Sequence, residues 1–230
     1  MAIEARGTSM FILAGVFSFL LAGAVRWWMT RTYGKWGQVA NRLGVNGQQV
    51  ARHILDSNGL QGVRLEESKG QLSDHYIPSQ KLIRLSEHIN REPSVASIAV
   101  AAHEVGHAIQ DAGGYRPLKA KAVMMPIAAL GNQLGMGLAL GGGFLGSSLM
   151  LDIGMILVAA SILTQLITLP IEFDASKRAL HELQRLGMVD ERDHDGAREM
   201  LRAAAMTYVA NAASSLAFVA VFALGILRRR

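Results

Sequence analysis

The chain has 230 residues, 50% of them hydrophobic and 18% charged, with 24 Gly, 11 Met and no Cys. Its mean hydropathy of +0.24 excludes a disordered or fibrous chain, and the lack of cysteine excludes a disulfide-stapled domain, a zinc ribbon and a thiol enzyme. The net charge of +5 does not point to nucleic acid, because the Lys and Arg flank apolar runs and form no basic stripe interleaved with aromatics.

A bilayer core takes about 18 or more apolar residues as helix, and four uncharged runs qualify. The first, residues 8–25, ends in Arg26, Trp27 and Trp28, the cationic and aromatic pattern of a membrane interface. Ala22, Gly23 and Ala24 resemble a leader-peptide cleavage site, but the charge and Trp pair suit a retained anchor.

In the polar region that follows, Asn46 is placed to cap a helix through Asp56, with Asn58 and Gly59 ending it. Three strand-like runs, residues 63–67, 71–76 and 81–86, are joined by turns at Lys69-Gly70 and Pro78-Ser79, which predicts a small antiparallel sheet or meander. Ser94 after Pro93 predicts the N-cap of a helix to about Asp111, stopped by Gly113 and Gly114.

The second and third apolar runs, residues 122–151 and 153–171, are divided only by Asp152 and read as a helical hairpin turning there. The Gly-rich stretch 131–146 permits close helix packing, with a re-entrant turn at Gly141, Gly142 and Gly143 as the alternative. Pro170 marks the passage into a helix ending at Gly187, and a last helix begins near Asp195 and continues into the fourth run, residues 203–227, before three arginines.

A two-helix hairpin returns the chain to its starting side, so the two polar regions share one face of the membrane. Arg26, Arg31, Lys35, Arg116, Lys119, Lys121, Lys177, Arg178, Arg198 and Arg202 lie on that side, against Arg6 and Arg228 to Arg230 opposite, which predicts a cytoplasmic domain.

The helix from Ser94 contains His103, Glu104, Val105, Gly106 and His107, an H-E-x-x-H motif. One turn separates the histidines, so both imidazoles project from one face and can hold a single zinc, with Glu104 set to act as general base. The segment 95–102 is nearly all apolar, and polar groups at the inner end of a buried helix need partners that a metal supplies. A tetrahedral site needs a third protein ligand. Glu172, where the third run leaves the membrane, is the first candidate, with Asp174 in reserve and His181 and His194 behind it.

Asp74-His75-Tyr76, Ile83-Arg84-Leu85-Ser86, residues 103–110, residues 165–175 and Thr207-Tyr208-Val209-Ala210 resemble the YugP-like neutral zinc metallopeptidases of bacterial membranes, from about Ala51 onward. A more distant resemblance is to membrane gluzincins of the HtpX and CAAX prenyl protease type. The resemblance implies His103, His107 and Glu172 as zinc ligands and Glu104 as base. Those relatives usually carry an aspartate four residues after the ligand glutamate. Here that position is Ser176, so orientation of a ligand histidine falls to Ser176 or to Asp174. The strand of Lys81, Leu82, Ile83, Arg84, Leu85 and Ser86 resembles the edge strand along which such proteases align an extended substrate. Asp74, His75 and Tyr76 are expected to pin that sheet or to contact substrate, and Tyr208 and His181 are the candidates for stabilising an oxyanion.

The expectation is a mainly α membrane protein with about four transmembrane helices and a small α+β gluzincin-like zinc-protease domain. Residues 1–29 form the anchor, 30–121 the sheet and zinc helix, 122–171 the hairpin, 172–202 the third-ligand helix and 203–230 the last span. The expected function is a zinc-dependent endopeptidase of the bacterial inner membrane, with one zinc per chain. Its partners are a polypeptide substrate and the lipid bilayer, with no nucleic acid, and quality control of membrane proteins is a natural role. The rivals are a protease that cleaves within the membrane and a non-catalytic metal-binding scaffold. The sequence specifies no oligomeric state.

Overall fold

A computed structural model describes residues 2–227. Helix α1 (Ala2–Gly37) is followed by α2 (Gly47–Ser57), strands β1 (Arg64–Ser68), β2 (His75–Ile77) and β3 (Leu82–Ser86), and helices α3 (Glu87–Arg91) and α4 (Val95–Ala112). Helices α5 (Arg116–Leu130) and α6 (Met136–Leu145) are joined by a π-helical stretch, Gly131–Gly135, and the long helices α7 (Ser148–Arg185) and α8 (Glu191–Leu227) complete the chain. Four helical segments, Ile12–Gly37, Arg116–Leu145, Ser148–Arg185 and Glu191–Val221, are long and apolar enough to cross a bilayer. The protein is a mainly α integral membrane protein with a small α+β part.

The chain divides into two compact units. The first comprises Met1–Val25, Arg116–Pro170 and Thr207–Arg230. Its hairpin turns at Gly146, not at Asp152: Gly146 adopts φ +70 and caps α6 through its N–H to the Gly142 carbonyl. That left-handed conformation is open to glycine at no steric cost, whereas Asp152 lies inside α7. Gly141, Gly142 and Gly143 are helical, so close packing replaces the re-entrant alternative. A Cβ at Gly131, Gly142 or Gly154 would run into the main chain of Leu157, Leu151 or Ala139 respectively. Arg228 to Arg230 and the side chain of Arg6, used above in the charge argument, lie outside the described residues.

The second unit comprises Arg26–Tyr115 and Ile171–Met206. Asn46 caps α2 in a reciprocal capping box with Gln49, and the Ser94 hydroxyl accepts the Ser97 N–H to start α4. The sheet is not an antiparallel meander. Its order is β1-β3-β2, with β3 parallel to β1 and antiparallel to β2. Leu82, Ile83 and Leu85 are fully buried, so the most apolar strand takes the centre and the polar β1 and β2 take the edges. Beneath it Ile54, Leu55, Ile98, Leu183 and Met200 close the core.

Helix α7 runs through Pro170 instead of ending there. Proline removes one helical N–H bond, but Ile171, Ala175, Ala179 and Leu183 form a buried stripe at four-residue spacing that holds the helix beyond it. Helix α8 starts at Glu191, earlier than Asp195, because the Asp190 carboxylate accepts the Asp193 N–H at 2.8 Å.

Candidate metal centre

The zinc-helix motif occupies the second half of α4. Gly106 lies against α7 so closely that a Cβ there would stand 2.5 Å from the Ala175 carbonyl oxygen. This approach brings the side chain of Glu172 to both histidines. The Glu172 Oε2 lies 3.3 Å from His103 Nε2 and 3.6 Å from His107 Nε2, and Glu172 is 4% exposed. These three are the one group of His, Asp or Glu side chains among the described residues placed closely enough to hold a metal ion.

The geometry suits a tetrahedral ion. Ligand atoms about 2.0 to 2.2 Å from a common centre stand about 3.3 to 3.6 Å apart at tetrahedral angles. The far side of each imidazole is also fixed. Gln110, fully buried, donates its amide N–H groups to the Ile171 carbonyl and to Asp174 Oδ2, each at 2.8 Å. Its Oε1 therefore faces His107 Nδ1 at 3.0 Å, which makes Nδ1 the donor and leaves Nε2 with a free lone pair toward Glu172. The Ser176 hydroxyl lies 3.2 Å from His103 Nδ1 and accepts from it in the matching tautomer.

Glu104 follows His103 on the same helix and is 7% exposed. Burial pushes its carboxyl pKa up; the two histidines oppose this, and the carboxylates of Asp74 and Glu172 add to the rise.

Asp174 does not join the three. It is held by Gln110 and by Arg178 Nε at 2.6 Å, so it reaches His107 only through Gln110. His181 is 70% exposed and turned to Glu182, and His194 lies beside Asp195; neither meets the group. Tyr208 lies on α8 in the first unit, where it lines a cavity.

The strand of residues 81–86, expected at a sheet edge, lies at the centre. Leu82, Ile83, Arg84, Leu85 and Ser86 pair with β1, and β2 pairs with Leu82 to Arg84 on the other side, so β3 is the central strand of the sheet and not an edge. Lys81 binds Asp111 at 2.6 Å instead. The Tyr76 hydroxyl donates to the same Asp111 carboxylate at 2.7 Å, and Asp74 accepts the Ser86 N–H at 2.7 Å. His75 is exposed. The roles of two residues escaped sequence reasoning: Gln110, whose signal was an amide one turn beyond His107, and Gly106, where the α7 main chain leaves no room for a Cβ.

The family described as "Putative neutral zinc metallopeptidase" matches residues 10–226. The chain belongs to this family. It is also 37% identical over 220 residues to the "Putative membrane protease YugP" of Bacillus subtilis (strain 168), a match spanning 94% of this chain and 98% of that protein. No solved structure matches the chain. A neutral zinc metallopeptidase requires zinc, and His103, His107 and Glu172 are able to hold a metal.

Proposed function

We propose that this protein is a membrane-anchored zinc endopeptidase, with His103, His107 and Glu172 as the ligands of one zinc and Glu104 as the general base. The reading is carried by the meeting of two imidazole Nε2 atoms and one buried carboxylate at 3.3 and 3.6 Å. Zinc at such a site lowers the pKa of a water and polarises a peptide carbonyl. Glu104 accepts the proton of the attacking water and delivers it to the leaving amine, and its raised pKa brings it nearer the range in which one group performs both transfers. Gln110 and Ser176 hold the imidazoles in the tautomer that presents Nε2.

The second unit is read as the protease part and the first as its membrane part, and the Lys and Arg near the span ends favour a cytoplasmic protease part in a bacterial inner membrane. With β3 enclosed, β2 is the edge strand packed against α4, so its outer edge is the place for an extended peptide. Substrates are polypeptides presented at the membrane, in keeping with a role in membrane-protein quality control.

The test is Glu104→Gln in detergent-purified protein. It should retain zinc and lose cleavage of an unfolded polypeptide by at least about a hundredfold, the lower range for a general base. Undiminished cleavage by Glu104→Gln excludes the mechanism, and a wild type that takes up no zinc excludes the enzyme.

A further inference from the structure

Within the first unit, α5, α7 and α8 line an open cavity of about 590 Å³ to which these long apolar helices contribute polar side chains. Ser161, Thr164, Gln165 and Thr168 form one face of α7, and Tyr208, Asn211, Ser214 and Ser215 one face of α8, all at three- and four-residue spacing. The hydroxyls of Ser161, Thr164 and Thr168 donate to main-chain carbonyls, and Ser215 donates to Gln165 Oε1 at 2.9 Å. The amide N–H groups of Gln165, the Asn211 amide and the Ser214 hydroxyl have no hydrogen-bond partner among the described residues. Polar side chains at such positions in a bilayer are expensive and mark sites of function.

The chemistry of the lining selects the occupant. An anionic headgroup is held most strongly by charged donors, and the one lysine of the lining, Lys121, is already engaged. What remains is an array of neutral donors and acceptors, the complement of a main chain whose own hydrogen bonds are incomplete. From Ser161 to Thr168 the α7 face spans about 10 Å, the length of about three residues of extended chain.

We propose that this cavity receives an extended, non-helical stretch of a membrane-embedded polypeptide, whose main-chain amides and carbonyls pair with Gln165, Asn211 and Ser214. The substrate class that follows is a transmembrane segment with a helix-breaking interruption. The proposal rests on the peptidase reading for why such a segment is bound.

The experiment uses the full-length Glu104→Gln protein in liposomes, with a photoreactive amino acid replacing Phe218 in the cavity lining or, in a second preparation, Leu216, which is exposed and outside the lining. The probe is a synthetic Leu/Ala transmembrane peptide with a central Gly-Pro pair, beside the same peptide without it. The expected result is capture of the Gly-Pro peptide from position 218 at least tenfold above the uninterrupted peptide and above position 216. Gln165→Leu with Asn211→Leu should lower that capture at least tenfold, with zinc per chain unchanged as the control for folding. Equal capture of both peptides, equal capture from both positions, or capture of only lipid or a second copy of the chain overturns the proposal. Capture as expected, with a wild type that binds no zinc and cleaves neither peptide, removes the peptidase reading and leaves the peptide site standing. Cleavage by wild type without selective capture removes the peptide site alone.

Discussion

Gly106 and Ala175 are in backbone contact: a Cβ on Gly106 would stand 2.5 Å from the Ala175 carbonyl oxygen and 3.2 Å from its Cα. The contact lies between the two candidate histidine ligands in sequence and one helical turn beyond Glu172. It sets the separation of α4 and α7 at the level of the site.

Gly106→Ala is expected to push the helices apart, because the obstacle is main chain and not the end of a flexible side chain. The expected destabilisation is about 1 to 3 kcal/mol, with zinc per chain clearly reduced. Thermal unfolding and elemental analysis of the purified variant check both effects.

Glu172→Ala removes the one carboxylate that meets both histidines. Wild type is expected to carry near one zinc per chain and the variant far less. A chelator should abolish cleavage and lower the melting temperature of wild type, since zinc at a hundred times its Kd adds about 2.7 kcal/mol to folded-state stability. The variant's melting temperature should hardly respond.

Gln110→Leu preserves most of the side-chain volume and deletes the acceptor that fixes the His107 tautomer. It also removes one donor each from Asp174, which keeps Arg178, and from the Ile171 carbonyl. Zinc affinity is expected to fall about 10- to 100-fold, the usual effect of losing a partner behind a ligand histidine. Competition with a zinc-binding dye gives the ratio directly.

Ser176 supplies a neutral hydroxyl at His103 Nδ1. Ser176→Ala should weaken zinc binding by up to about tenfold, and Ser176→Asp, which places a carboxylate there, should tighten it by making the imidazole more basic. The same competition assay reads both, and tightening by Ser176→Ala would contradict the assigned contact.

Burial raises the pKa of the Asp74 carboxyl, and hydrogen bonds from the Ser86 N–H and hydroxyl oppose the rise. A carboxyl titrating higher in the folded than in the unfolded state contributes stability below its unfolded pKa of about 3.9, and this is lost as pH rises through the folded pKa. Asp74→Asn keeps an acceptor for the Ser86 N–H and carries no charge. Its stability relative to wild type should therefore be greater at pH 7 than at pH 4, as measured by thermal unfolding at the two pH values.

Local signals carried much of this protein. Asn46 and Ser94 start their helices as side-chain caps do anywhere, a run of apolar residues long enough to cross a bilayer is visible without any partner, and the four-residue step from His103 to His107 fixes their common face because helix geometry is local. Glu172 was legible as a candidate by its place at the end of an apolar run. Other features depended on contacts distant in sequence. Whether β3 is an edge or a centre is decided by what pairs on each side of it, and β1 and β2 take its two sides. Pro170 reads as a boundary until the buried stripe from Ile171 to Leu183 holds the helix through it. Asp174 and Ser176 lie two residues apart on one helix, about 200° around its axis, and only the crossing of α4 over α7 assigns one to Gln110 and the other to His103. Sequence spacing determined which side chains share a face; tertiary packing alone decided which faces meet, because that depends on the approach Gly106 allows.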